Sequence, residues 1–93
     1  MVKFQIVLSP PAVKDLASLS NSVCKKIVRA LRTLEDNPFP RGKLVKKIKG
    51  TNLDYYRLRI DAYRVFYMIE VTHVIVLRVL NKKDTARFIR KLD

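Results

Sequence analysis

Tyr55-Tyr56-Arg57-Leu58-Arg59-Ile60-Asp61-Ala62-Tyr63-Arg64-Val65-Phe66-Tyr67 is the stretch that decides the fold of this 93-residue chain. Tyr56, Leu58 and Ile60 alternate with Tyr55, Arg57 and Arg59, the period-two pattern of a strand buried on one face. Asp61-Ala62 reads as a two-residue turn, although it lacks the usual glycine. Tyr63, Val65, Tyr67 and Ile69 then alternate with Arg64, Phe66 and Met68. The stretch is therefore a β-hairpin. A tight turn pairs Ile60 with Tyr63, so Arg59 stands opposite Arg64, with Arg57 on the same face. Cross-strand neighbours are only about 5 Å apart, and like charges so placed destabilise a sheet. A fold has no need of that arrangement, whereas an anionic ligand does. The plainer reading is a solvated sheet face with snorkelling side chains.

Further strands follow on both sides of the hairpin. Val74 to Leu80 is an apolar strand after a turn near Thr72-His73, and Lys43 to Lys49 holds Leu44, Val45 and Ile48 among four lysines as a short strand. At the start of the chain, Phe4, Ile6 and Leu8 alternate with Lys3, Gln5 and Val7. Ser9-Pro10-Pro11 ends that strand and opens a helix over about residues 10–19, because serine caps helices and proline is tolerated in the first turn. Val23, Ile27, Ala30, Leu31 and Leu34 mark the apolar face of a longer helix, entered at Ser20-Asn21-Ser22 and ending near Asn37-Pro38. Cys24 borders this stripe and is expected in the core. Asp84 is expected to cap a short terminal helix carrying Phe88, Ile89 and Leu92.

The order β-α-α-β-β-β-β-α predicts an α+β fold over residues 1–93 as a single domain. Its four- to five-stranded sheet is mainly antiparallel, with the two early helices on one face and a short C-terminal helix.

Composition sets the class. The chain has 20 Lys+Arg against 8 Asp+Glu, a formal net charge of +12, with 48% hydrophobic residues. That is a folded domain with a polyanionic partner rather than a disordered basic tail. No apolar run approaches the roughly 20 residues that span a bilayer, and Met1 to Ile6 lacks the apolar stretch of a signal peptide. A single cysteine, Cys24, precludes an intrachain disulfide and fits a cytoplasmic protein with no membrane partner.

The positive charge is uneven. Arg41, Lys43, Lys46, Lys47, Lys49, Arg57 and Arg59 meet only Asp54, and Lys82, Lys83, Arg87, Arg90 and Lys91 meet only Asp84. Scattered acids, one histidine (His73) and the lone cysteine give no metal-ligand cluster, so no metal and no cofactor is expected. Two glycines, Gly42 and Gly50, make no phosphate loop. His73 reads as a turn residue without an orienting partner. What remains is chemistry by cations. RNA carries its own nucleophile, the 2′-OH. Arginine and lysine can align it and stabilise the dianionic transition state, which makes a metal-free ribonuclease physically accessible. A lysine of lowered pKa among other cations can serve as acid or base.

Lys47-Ile48-Lys49-Gly50, the hairpin from Tyr55 to Tyr67, and Val79-Leu80-Asn81-Lys82-Lys83-Asp84 together resemble the RelE/ParE superfamily of type II toxins. The resemblance extends over nearly the whole chain. It implies a toxin of a type II toxin-antitoxin system and, in the RelE branch, a ribosome-dependent mRNA endonuclease that inhibits translation. By position it implies catalytic roles for four residues. Arg57 and Arg59 match the paired basic residues at the scissile phosphate, Arg64 the arginine that stabilises the transition state, and Lys82 a tail residue that assists the leaving group. Lys46, Lys47, Lys49, Lys83, Arg87 and Phe88 are the expected RNA-binding residues. Four positions depart from the pattern. Phe88 stands near a catalytic tyrosine and has no hydroxyl, Asn81-Lys82 replaces His-Arg, and Ala62 replaces the turn glycine. Tyr55 and Tyr56 are the nearby hydroxyls, but strand parity sends Tyr56 to the core. Lysine lacks the bidentate grip of arginine on phosphate. The implied partners are a cognate acidic antitoxin, the ribosome and mRNA. The alternatives are a ParE-like inhibitor of gyrase without catalysis, and a degenerate relative that only binds RNA or antitoxin.

Overall fold

In a computed structural model, residues 3–92 are described; Met1, Val2 and Asp93, which complete the expected 1–93 domain, lie outside the described residues. The strands are β1 (Gln5–Leu8), β2 (Val45–Lys47), β3 (Tyr56–Ile60), β4 (Tyr63–Glu70) and β5 (His73–Asn81). The helices are α1 (Pro10–Ala17), α2 (Asn21–Thr33) and α3 (Thr85–Arg90), with a 3-10 turn at Lys82–Asp84 before α3. The five strands form one sheet in the order β1-β5-β4-β3-β2. Four consecutive strands are antiparallel as expected, and β1 adds to β5 in parallel. No helix among the described residues is long and apolar enough to cross a membrane.

The helices begin where the sequence puts their caps. Ser9 Oγ accepts from Ala12 N at 3.3 Å, and Ser20 Oγ accepts from Val23 N at 3.4 Å. Both helices end earlier than their apolar periodicity suggests. Leu34 and Glu35 turn to i−3 carbonyls, at 3.0 and 3.1 Å, so the last apolar positions of α2 lie on tightened turns. Ser18 and Leu19 do the same after α1. The lysine-rich strand shrinks from 43–49 to three residues. Asp84 makes no side-chain cap; Asn81 Oδ1 accepts from Lys83 N at 3.1 Å and opens the terminal turn instead.

α1 and α2 cover one sheet face. Ala12, Leu16, Ile27, Leu31 and Leu34 meet Val45, Leu58, Ile60, Val65, Tyr67, Val74, Val76 and Val79 there. Burying a side chain of this size contributes about 1.5–3 kcal/mol. Cys24 is half-buried and packs at the rim of this core rather than inside it.

The other sheet face receives the short terminal helix, whose position the sequence reading left open. Phe66 is fully buried yet lies outside the main core, and Phe88 of α3 packs on it with ring centroids 4.9 Å apart. The chain therefore folds its last helix back over the face that α1 and α2 leave open.

Candidate nucleic-acid interface

The hairpin register is the one the turn predicts. Ile60 pairs with Tyr63, Arg59 with Arg64, and Arg57 with Phe66. Alternation sends Tyr56, Leu58 and Ile60 into the core and Arg57, Arg59 and Arg64 to the opposite face. Arg64 Nη1 donates to the carbonyls of Asp61 and Tyr63, each at 2.8 Å, which fixes its guanidinium beside the turn. Burial, then the charges of Arg59 and Arg57, hold Arg64 below the usual arginine range. Among the described residues the ion pairs are Lys3–Asp36, Lys26–Asp61, Lys47–Asp54 and Arg78–Asp15. None of them reaches Arg57, Arg59 or Arg64, so three mutually repelling cations share one accessible face without a carboxylate.

The other expected site residues divide. Lys46 lies opposite Arg57 and is exposed on the same face. Lys82 N donates to Ala62 O at 2.8 Å, which brings the start of the terminal turn against the hairpin tip and its arginines. Lys83 follows it, exposed. Arg87 and Phe88 come in on α3, over the same face. Lys47 alternates away from the cluster, and its ammonium binds Asp54 at 3.0 Å, an interaction that raises its pKa. Lys49 is exposed beyond the end of β2. Tyr56 stacks on Tyr67 at 5.6 Å in the core, and Tyr55 is buried. His73 pairs with Glu70 at the far end of the β4–β5 hairpin from Arg64.

One cation escapes sequence reading. Pairing between β4 and β5 slips between Phe66 and Tyr67, which match Arg78 and Val76, so Leu77 is an extra residue in β5. Simple alternation would place Arg78 on the core face with Val74 and Val76. The bulge reverses parity, so Val79 enters the core and Arg78 joins the arginine face. Leu77 O accepts from Ser9 Oγ at 2.9 Å, which satisfies the bulged carbonyl. Asp15 of α1 then accepts from Arg78 Nε at 2.7 Å, from Arg78 Nη2 at 3.0 Å and from Val79 N at 2.9 Å. The hydrogen bonds from Asp15 raise the pKa of Arg78. Its guanidinium also lies 6.0 Å from the centre of the Phe88 ring. The clue in the sequence is Arg78 itself, a charge in the middle of Val74-Ile75-Val76-Leu77-Arg78-Val79-Leu80.

The face as a whole resembles a phosphate platform. Cations flank Phe88, half-exposed above the buried Phe66, an arrangement that grips a backbone and leaves a ring for a base.

Known proteins resemble this chain in sequence and in fold. Residues 6–86 match the family described as ParE toxin of type II toxin-antitoxin system, parDE. A candidate toxin RelE1 of Methanocaldococcus jannaschii is 32% identical over 87 residues, which cover 91% of this chain and 96% of the relative. The archaeal RelE-RelB complex from Pyrococcus horikoshii superimposes with a TM-score of 0.74 at 28% identity, covering 87% of this chain and 97% of that one. A mutant of E. coli RelE in the free state shares the fold, with a TM-score of 0.74 at 20% identity over 99% of this chain and 95% of that one.

Proposed function

The chain belongs to the ParE toxin family of type II toxin-antitoxin systems, with RelE proteins among its relatives, and from that premise we propose that it is a ribosome-dependent mRNA endonuclease. The observation that carries this reading is the uncompensated trio Arg57, Arg59 and Arg64 on one open sheet face. In this reading Arg57 and Arg59 bind the scissile phosphate and hold the neighbouring 2′-OH in line. Arg64, held beside the turn by two carbonyls, meets the charge that grows on the phosphoryl oxygens as the 2′-OH attacks phosphorus. Lys82, beside the hairpin turn, serves the departing 5′-oxygen. The ribosome supplies the substrate in a fixed conformation, which lowers the demand on the protein's own positioning. No metal and no cofactor has a part in this scheme.

The partner that silences the toxin is an acidic antitoxin. Burying unpaired guanidinium groups is costly, so the covering segment brings carboxylates to them. The Pyrococcus horikoshii relative, whose structure is a RelE-RelB complex, supports an antitoxin partner.

Induction of the gene alone tests the proposal. Translation stops and mRNA is cut within ribosomal A sites. Arg64→Gln lowers cutting at least about 100-fold while the protein stays folded. Supercoiling by purified gyrase is unaffected. Inhibited gyrase with intact mRNA would replace this reading with the ParE-type one.

A further inference from the structure

Beyond the trio, the open face carries a second basic feature. Between β5 and α3 lies a cavity of about 270 Å³ lined by Arg78, Leu80, Asp84, Arg87, Phe88 and Lys91. Arg87 and Lys91 are exposed at its outer wall. Arg78 forms the inner wall, delivered there by the Leu77 bulge and oriented by Asp15. Asp15 occupies Nε and Nη2, and Nη1 has no hydrogen-bond partner among the described residues. Asp84 is the one carboxylate in the lining.

The position of this basin matters as much as its charge. Arg57, Phe66 and Arg78 stand in one cross-strand row on β3, β4 and β5. Two strand spacings separate the arginines by about 10 Å. Phe66 and, above it, Phe88 occupy the gap. Cation, aromatic, cation is the order in which a single-stranded nucleic acid offers phosphate, base and phosphate.

We propose that the β5–α3 basin is a second phosphate-binding site for the same RNA strand, with Arg78, Arg87 and Lys91 as its donors and Asp15 as the residue that positions Arg78. The inference rests on the RNA-binding half of the function proposed above and not on cleavage. A strand held by the trio crosses Phe88 and places a neighbouring phosphate in the basin. Asp15 touches no substrate; it acts by aiming Arg78.

The test is binding of uncleavable 2′-O-methyl RNA, a dinucleotide and a hexanucleotide, by fluorescence anisotropy across a salt series without ribosomes. The wild-type protein binds the hexanucleotide more tightly, by about tenfold, with a steeper salt dependence. Each phosphate neutralised in a single strand adds about 0.7 to the slope of log K against log salt. Arg87→Gln/Lys91→Gln removes that increment and most of the tenfold gain, and leaves dinucleotide binding within about twofold. Asp15→Asn/Arg78→Gln exchanges an ion pair for a neutral one and keeps the formal net charge at +12. Its expected result is the same loss of slope, a change that a purely structural strut would not produce.

Thermal melting of each variant shows that it is folded. A hexanucleotide bound no better than the dinucleotide by wild type, or a slope unchanged in both folded variants, overturns the second site whatever the cutting assay gives. Variants that bind RNA like wild type but lose antitoxin affinity assign the basin to the protein partner and overturn it equally. RNA binding that behaves as expected in a protein that cuts nothing leaves the site standing and removes the nuclease.

Discussion

Arg59 and Arg64 stand directly opposite one another across the β3–β4 pair, two guanidinium groups in register on a face with no carboxylate partner for either among the described residues. A like-charge pair in that position costs the fold roughly 0.2–1 kcal/mol. Arg59→Gln is therefore expected to raise stability by about 0.5 kcal/mol in low salt while impairing RNA cutting. The gain shrinks in 1 M salt, where the screening length falls to about 3 Å. Urea titrations at the two ionic strengths measure it, and a variant less stable than wild type in low salt refutes the repulsion argument.

Phe88 holds α3 to the sheet through Phe66 and lies within reach of the Arg78 guanidinium. Phe88→Ala is expected to cost about 1–2 kcal/mol, below the range for a wholly buried phenylalanine because this ring is half-exposed. Phe88→Tyr keeps the packing, with stability within about 0.5 kcal/mol, and returns a hydroxyl to a position that the family resemblance links to proton transfer. Cleavage rises about tenfold, a modest share of what a positioned acid or base contributes. Equal cutting by the two proteins shows that the proton is managed elsewhere.

Asp15 ties α1 to β5 with three hydrogen bonds, and Asp15→Ala strands a guanidinium and a backbone N–H at a strand edge. A loss of about 2 kcal/mol is expected, moderated because the Arg78 side chain remains 36% exposed. In a double-mutant cycle with Arg78→Ala the coupling is about 1 kcal/mol. Additive effects would mean that the two side chains do not support one another in solution.

Tyr67 donates its hydroxyl to Pro38 O at 2.7 Å from a fully buried position. Burial raises its pKa far above the ordinary tyrosine value of 10.0. A group whose folded pKa lies above its unfolded one stabilises fully below the unfolded value, and loses that contribution as pH rises past it. Stability should therefore fall above pH 10.0, the unfolded tyrosine's midpoint. Tyr67→Phe costs about 1 kcal/mol at neutral pH and flattens this alkaline limb. Melting temperatures of the two proteins between pH 8 and pH 11 decide the matter; parallel curves would sink the assignment.

The hairpin was legible because its turn sets register and register sets faces, so Arg57, Arg59 and Arg64 came together as their spacing requires. Alternation says which face a side chain takes but not which strand lies beside it. The parallel docking of β1 on β5, between residues some 68 positions apart such as Ile6 and Val74, therefore stayed hidden. The bulge at Leu77 was the costlier omission. One inserted residue reverses the parity of all that follows, and Arg78, Asp15 and the basin depend on it. The return of α3 was foreshadowed by Phe66, an aromatic side chain on the polar side of its strand that required a cover. Lys47 stands apart from Lys46 because successive residues of a strand point to opposite sides, so a run of lysines does not make one surface.

β5 lies between the first strand and the hairpin, so a nascent chain has nowhere to dock β1 until His73 to Val76 have been synthesised. Synthesis runs from the N-terminus, and at about 5–20 residues per second the stretch from His73 to Arg90 takes only a few seconds to add. Until it emerges, the sheet has no centre, and the helix that shapes the second half of the cationic face does not exist. A chain released before residue 73 therefore carries all three hairpin arginines but lacks the strand beside β4 that completes their face. The shared face that gathers these arginines exists only once β5 has been made.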